Sequence, residues 1–297
     1  MKRWITRIAI ALGTTLVLLL VYGVAVEPRF ILDEERWRVS IPSLGEEWAG
    51  TDVAVLSDMQ IGMWWANEGM VEKAIGEIVS AEPDVALLGG DFVYSEEPDI
   101  PTQVDRVMEL LDPLVESGIP TYAVLGNHDY AVGAADELTT ALEDAGVPVL
   151  KNTAVPVPSP EGTGNERPLY VVGIGPAVPG EADIEAALDD VPDDAPRVVL
   201  VHNPTTFDSL PAGTAPLTLA GHTHCGQIAL PGTPRWSYVA LTDEEKIVAD
   251  GWAPARHGAD GNRMFVTCGI GFSVIPVRIN APPQVAFFEL VPGEGGL

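Results

Sequence analysis

The chain has 297 residues, with 43 Asp and Glu against 16 Lys and Arg, a formal charge of −27 at pH 7. With 46% hydrophobic and 20% charged residues it can build a sizeable core, which excludes general disorder. Two cysteines exclude a disulfide-dense scaffold and a multi-cysteine zinc module, and the lack of a Lys/Arg cluster argues against nucleic acid as a partner.

Residues 1–7 are a basic N-terminus carrying Lys2, Arg3 and Arg7, and residues 8–26 (IAIALGTTLVLLLVYGVAV) hold 19 positions without a charge. At 1.5 Å per residue this stretch reaches ~28 Å, close to the hydrocarbon thickness of a bilayer. It reads as an uncleaved transmembrane anchor, with a cleaved signal segment as the alternative because Gly23 and Ala25 offer small residues. Arg29, Arg36 and Arg38 follow the segment closely, so the basic residues on its two sides nearly balance. Orientation then rests on the default for a short basic N-terminus. That default makes this a single-pass protein of the cell membrane with an extracytoplasmic domain, or a secreted one if the segment is cut. Residues 27–50, with Trp37 and Trp48, read as a connecting segment near the membrane or a loop packed on the domain. The domain itself is residues 51–297, with no internal repeat and no dividing linker.

Within it, 51–57 (TDVAVLS) is a strand, followed by a helix whose apolar face is Val71, Ile75, Ile78 and Val79. Residues 84–88 (DVALL) form a second strand. Thr102 is read as the cap of the next helix, with Val104, Val107, Met108 and Leu111 as its stripe. A third strand is 121–125 (TYAVL), and a third helix turns Leu138, Ala141, Leu142 and Ala145 inward before Gly146. This alternation predicts parallel βαβ units, which place function at the carboxyl ends of the strands. The second half reads as another, mixed sheet: two strands within 151–173, then 197–201, 217–220, 264–267 and 285–290.

Each of these strands that carries chemistry ends on a donor. Asp58, Gln60, Asp91, Asn127, His128, His202, His222 and His224 all lie in short polar loops after predicted strands. Singly, a strand-end Asp is a turn former and a lone His a satisfied polar group. Together they place metal-binding oxygen and nitrogen atoms at one crevice.

The ordered blocks Asp58-Met59-Gln60, Gly90-Asp91, Gly126-Asn127-His128-Asp129, His202 and Gly221-His222-Thr223-His224 resemble the calcineurin-like metallophosphoesterases over about residues 51–290. The longer GHTHCGQI run resembles the membrane-associated or exported bacterial branch. The resemblance implies an α/β fold of two mixed β-sheets packed as a sandwich with flanking helices, four layers in all. It implies that Asp58 and His224 bind a first metal, that Asp91 bridges two, and that Asn127, His202 and His222 complete the second site. It also implies that His128 faces the phosphoryl group, with Asp129 holding its ring. An anionic bridge is what two mutually repelling cations require, and a hydroxide held between them serves as the nucleophile. The donor set suits Mn, Fe or Zn.

The family pattern has His where this chain has Gln60. Three readings stand: Gln60 binds the first metal through its carbonyl oxygen, holds a metal-bound water, or leaves that site largely empty. Cys225 reads as a small buried thiol with Cys268 as its candidate partner, and His257 as exposed. Met63, Trp64 and Trp65 stand either at the rim of the crevice or in the core. The expected function is a membrane-anchored, two-metal hydrolase of phosphoesters, chiefly phosphodiesters, with a lipid head group or an envelope phosphodiester as substrate. The alternative is a metal-binding sensor or partner module that has lost catalysis through Gln60.

Overall fold

The structure, a computed structural model, describes residues 2–158, 167–230, 233–237 and 248–293. In chain order, α1 (Lys2–Val21) runs through a π-helical turn (Tyr22–Val26) into α2 (Glu27–Phe30). The first sheet and its helices follow as β1 (Asp33–Pro42), β2 (Asp52–Leu56), α3 (Glu68–Ala81), β3 (Val85–Leu88), α4 (Ile100–Glu116), β4 (Thr121–Ala123), α5 (Asn127–Ala131) and α6 (Ala135–Asp144). Then come β5 (Thr153–Pro156), β6 (Tyr170–Gly173), α7 (Ile184–Asp189), β7 (Arg197–Leu200), β8 (Thr218–Ala220), β9 (Ala229–Leu230), β10 (Thr233–Ser237), β11 (Gly251–Trp252), β12 (Met264–Val266) and β13 (Gln284–Gly293).

Two mixed sheets result, one in the order β1-β13-β2-β3-β4 and one in the order β11-β12-β8-β7-β6-β5. In the first, β2, β3 and β4 are parallel, while β13 runs antiparallel to β2 and parallel to β1. In the second, β12, β8, β7 and β6 are parallel, and β11 and β5 are antiparallel edges. A short β9–β10 hairpin stands apart.

Period-two alternation explains the layering, because successive side chains leave opposite faces of a strand. In β2 and β3, Val53, Val55, Val85 and Leu87 point between the sheets, joining Val198, Leu200, Leu219, Phe265 and Phe288. Ala54, Leu56, Ala86 and Leu88 point the other way, under Ile75, Ile78, Val107, Leu111 and Leu142 of α3, α4 and α6. Both faces are covered, which is why these strands read as unbroken apolar runs. Each Leu or Phe sequestered here contributes roughly 1.5–3 kcal/mol.

Three expectations are corrected. Residues 285–290, expected in the second sheet, belong to β13, which lies in the first sheet between β1 and β2. The connecting segment of 27–50 contains β1, ten residues paired with β13 from Asp33↔Gln284 to Pro42↔Gly293, and Trp48 is fully buried between the sheets. Trp48 Nε1 donates to the Arg167 carbonyl at 3.2 Å. The cap of α4 is Asp99 rather than Thr102: the Asp99 carboxylate accepts the Thr102 N–H at 2.9 Å. Pro101 lies in the first turn of that helix, where its missing N–H costs nothing.

Candidate metal centre

All the chemistry-bearing loops leave the carboxyl ends of parallel strands on one edge of the sandwich. β2 leads to Asp58 and Gln60, β3 to Asp91, β4 to Asn127 and His128, β7 to His202, β8 to His222 and His224. Backbone bonds stitch the loops together: Asp58 N–H donates to Gly90 O at 2.9 Å, Gln60 N–H to Asp91 O at 3.0 Å, and Gly221 N–H to His202 O at 3.1 Å. Of the seven expected ligands, five have left-handed backbone: Asp58, Gln60, Asp91, His222 and His224, with φ between 49° and 73°. Such geometry costs an L-residue roughly 1–3 kcal/mol and persists where surrounding structure imposes it. Glycines make the close approach feasible. A Cβ on Gly126 would overlap the Asp91 carboxylate, and one on Gly269 would stand 2.6 Å from Asp58 Cβ.

Asp91 is buried at the centre. Its Oδ1 accepts the His128 N–H at 2.8 Å, and its Oδ2 accepts Gln60 Nε2 at 2.9 Å and lies 3.2 Å from His202 Nε2. His202 Nδ1 meets the Gly89 carbonyl at 2.7 Å, so that nitrogen carries a proton and Nε2 is turned toward Asp91 and His222. His222 Nδ1 sits 3.3 Å from His202 Nε2. Asp91, His202 and His222 thus bring one ligand atom each within 4.8 Å of the others. Asp58 Oδ1 lies 3.5 Å from His224 Nε2, and both Asp58 oxygens accept the His222 N–H. Asn127 Oδ1 accepts Asn203 Nδ2 at 3.2 Å.

Burial and neighbouring charge move these groups in opposite directions. Burial alone would lower the His202 imidazole, but the Asp91 carboxylate outweighs it and pushes His202 up to about 10. Burial alone would raise Asp91, yet His202 first, then His128 and His222, hold it well below the usual carboxylate range. Burial lowers His224 to about 4 against the pull of Asp58 and with the aid of Arg278. Gln60 Oε1 is buried without a hydrogen-bond partner, an unmet acceptor on the amide whose Nε2 donates to Asp91. Carboxylate, imidazole and amide donors with such an orphaned oxygen fit divalent cations.

The role expected for Asp129 is corrected. Its Oδ2 accepts the N–H of Asp91 at 3.0 Å and of Gly126 at 2.9 Å, and its Oδ1 accepts that of Val93 at 3.0 Å. Both oxygens therefore brace the β3 and β4 loops rather than the His128 ring. Burial, then Asp91, pushes this carboxyl up to about 7 against the pull of the two amides at Val93 and Gly126. The His128 ring is half-buried and stacks on Tyr94 instead, with centroids 4.9 Å apart.

Sequence reasoning missed Tyr94, Asn203 and, above all, Arg278. That guanidinium is fully buried, donates to the carbonyls of Cys268, Gly269, Gly271 and Ala281, and lies 3.5 Å from His224 Nδ1. Nothing in its local sequence sets it apart. Cys225 and Cys268 are joined as a disulfide with Cα atoms 4.5 Å apart. His257 is paired with Asp208 at 3.1 Å. Met63 is buried, whereas Trp64 and Trp65 are exposed.

A family model described as Calcineurin-like phosphoesterase matches residues 51–265. The phosphodiesterase YaeI of Escherichia coli (strain K12) is 31% identical over 226 residues, covering 75% of this chain and 76% of that protein. A Danio rerio transmembrane protein with a metallophosphoesterase domain is 26% identical over 280 residues, covering 90% of this chain and 59% of that protein. Among solved structures, a dimetal phosphatase from Danio rerio aligns over 75% of this chain and 88% of that one, with a TM-score of 0.44 at 10% identity. With a family model spanning most of the domain and a bacterial phosphodiesterase matched across three quarters of both sequences, the chain belongs to the calcineurin-like phosphoesterases.

Proposed function

We propose that this chain is a membrane-anchored phosphodiesterase that holds two divalent cations. The observation that carries the reading is the buried Gln60 amide, whose Nε2 donates to Asp91 while Oε1 has no partner. Leaving a buried carbonyl unpaired costs ~1–3 kcal/mol, a cost that a cation at Oε1 removes. Asp58, Gln60 and His224 would hold the first cation, Asn127, His202 and His222 the second, and Asp91 would lie between them. Mn, Fe and Zn all suit this donor set. Bound there, the cations supply Lewis-acid stabilisation of the phosphoryl oxygens and activate water near neutral pH. His202 is oriented for its part by the Gly89 carbonyl. His128 stands at the half-exposed mouth, braced by Tyr94, where its imidazole donates a proton to the departing oxygen. Asp129 positions the ligand loops.

The 28-residue apolar helix from Arg3 to Phe30 is long enough to cross a bilayer. We place its N-terminus in the cytoplasm in a single pass, with residues 51–297 and β1 outside and a lipid head group or envelope phosphodiester as substrate. The acidic surface disfavours nucleic acid. Metal content and hydrolysis of bis-(p-nitrophenyl) phosphate, measured on the full chain and on Gln60→His after Mn²⁺ reconstitution, test the reading. Two metals per chain with chelator-sensitive turnover in the wild type are expected. One metal and no turnover, restored by Gln60→His, would instead establish a metal-binding module that has lost catalysis. That second reading is favoured by the Gln60–Asp91 bond, which occupies an oxygen the bridge needs.

A further inference from the structure

Beyond the N-terminal helix itself, exposed large apolar side chains gather in one region of the described residues. Phe30 ends the helix (72% exposed), Trp64 (62%) and Trp65 (56%) lie on the loop after Gln60, and Val274 (58%) and Ile275 follow Gly271. Ile31 adjoins Phe30, Leu230 ends β9 after the His222–Gln227 run, and Trp37 on β1 is the outlier.

The end of the helix is clamped between these same loops. The Arg29 guanidinium donates to the carbonyls of Trp65 at 2.7 Å and Ala66 at 2.8 Å, and lies 5.0 Å from the Trp65 ring and 5.2 Å from the Phe272 ring. The buried Glu27 carboxylate accepts the N–H groups of Asn280 at 2.9 Å and Ala281 at 2.7 Å. Gly23 O accepts the Arg278 N–H at 2.8 Å, and a Cβ on Gly23 would overlap the Ile279 side chain.

The same loops hold the metal centre. Gly271 N–H donates to Asp58 O at 2.6 Å, and the Ile275 carbonyl accepts Gln227 Nε2 at 2.6 Å. Helix end, apolar loops and ligand loops are therefore hydrogen-bonded to one another. Exposed Trp beside the end of a membrane-crossing helix is what the bilayer–water interface accommodates, and the same patch facing water would be an aggregation liability. At −27, the chain has no electrostatic pull toward anionic head groups, so apolar contact has to provide the seating.

We propose that this apolar rim sits in the bilayer interface, so that the centre opens onto the membrane surface and takes the phosphoester of a membrane-embedded amphiphile. The substrate class rests on the phosphoesterase reading; the seating does not.

The test uses the full chain in phosphatidylcholine vesicles with acyl chains brominated near the head group. Trp64→Phe combined with Trp65→Phe should remove roughly half of the bromine-quenched fluorescence, and Trp37→Phe none. No loss in the double variant, or an equal loss on Trp37→Phe, overturns the seating. In a second arm the wild type receives phosphatidylglycerol in those vesicles or soluble bis-(p-nitrophenyl) phosphate. Faster turnover of the lipid supports the substrate class, and turnover of the soluble diester alone overturns it while leaving the reaction intact. Turnover of neither overturns the phosphoesterase reading, and the quenching still decides the seating.

Discussion

Asp91 and Asp129 lie close together, both buried, and do different work. Asp91 turns Oδ2 toward the side chains of Gln60 and His202 and accepts the His128 N–H on Oδ1, whereas Asp129 accepts the backbone N–H groups of Asp91, Val93 and Gly126. Their Asn variants should therefore separate. Asp91→Asn is expected to lower hydrolysis by more than about 100-fold, the upper range for groups that merely support a ligand, with loss of bound metal by elemental analysis. Asp129→Asn turns an NH2 toward backbone N–H donors and should cost on the order of 2 kcal/mol in unfolding free energy, read by denaturant titration. Full activity in Asp91→Asn would refute the bridging assignment. The residue types at these positions were legible because each donor follows an apolar run. The direction in which Asp129 points was not, since it depends on where Val93 and Gly126 turn their amides.

Among the elements, β1 shows what a local pattern misses. Its sequence, DEERWRVSIP, has only Val39 and Ile41 buried toward the sandwich, so it lacks the apolar run that marks β2 or β3. Pairing with β13, with Val39 opposite Leu290, makes it a strand. β1 also covers one side of β13, which would otherwise offer unpaired N–H and C=O groups. A soluble piece beginning at residue 51 loses β1, Trp48 and the Glu27 contacts, and should melt well below one beginning at residue 27 or aggregate. Differential scanning calorimetry of the two checks this, and equal melting temperatures would show that β1 is dispensable. The strands buried on both faces needed no such partner to be recognised, because a chain that buries every side chain must be apolar at every position.

The whole molecule carries few cations with which to neutralise its 43 acidic residues. Arg106 alone meets Glu68, Glu72 and Glu109. Like-charge repulsion across such a surface weakens as salt shortens the screening length from ~10 Å at 0.1 M to ~3 Å at 1 M. The melting temperature of the piece beginning at residue 27 should accordingly rise by several degrees over that range, and a flat or falling profile would show that the repulsion is negligible.

The amino-acid sequence by itself determined the donors, their order, the alternation that builds two sheets, and one apolar segment long enough for a bilayer. These depend on residue type and short-range spacing. Tertiary structure alone decided that β1 joins the first sheet, that Arg278 lies buried beside His224, that Asp129 braces loops, and that the N-terminal helix docks on the loops around the candidate metal centre. Each of these joins residues far apart in the chain through backbone groups or a solitary charge. Such contacts leave no periodic trace in sequence, because a carbonyl or an amide belongs equally to every residue.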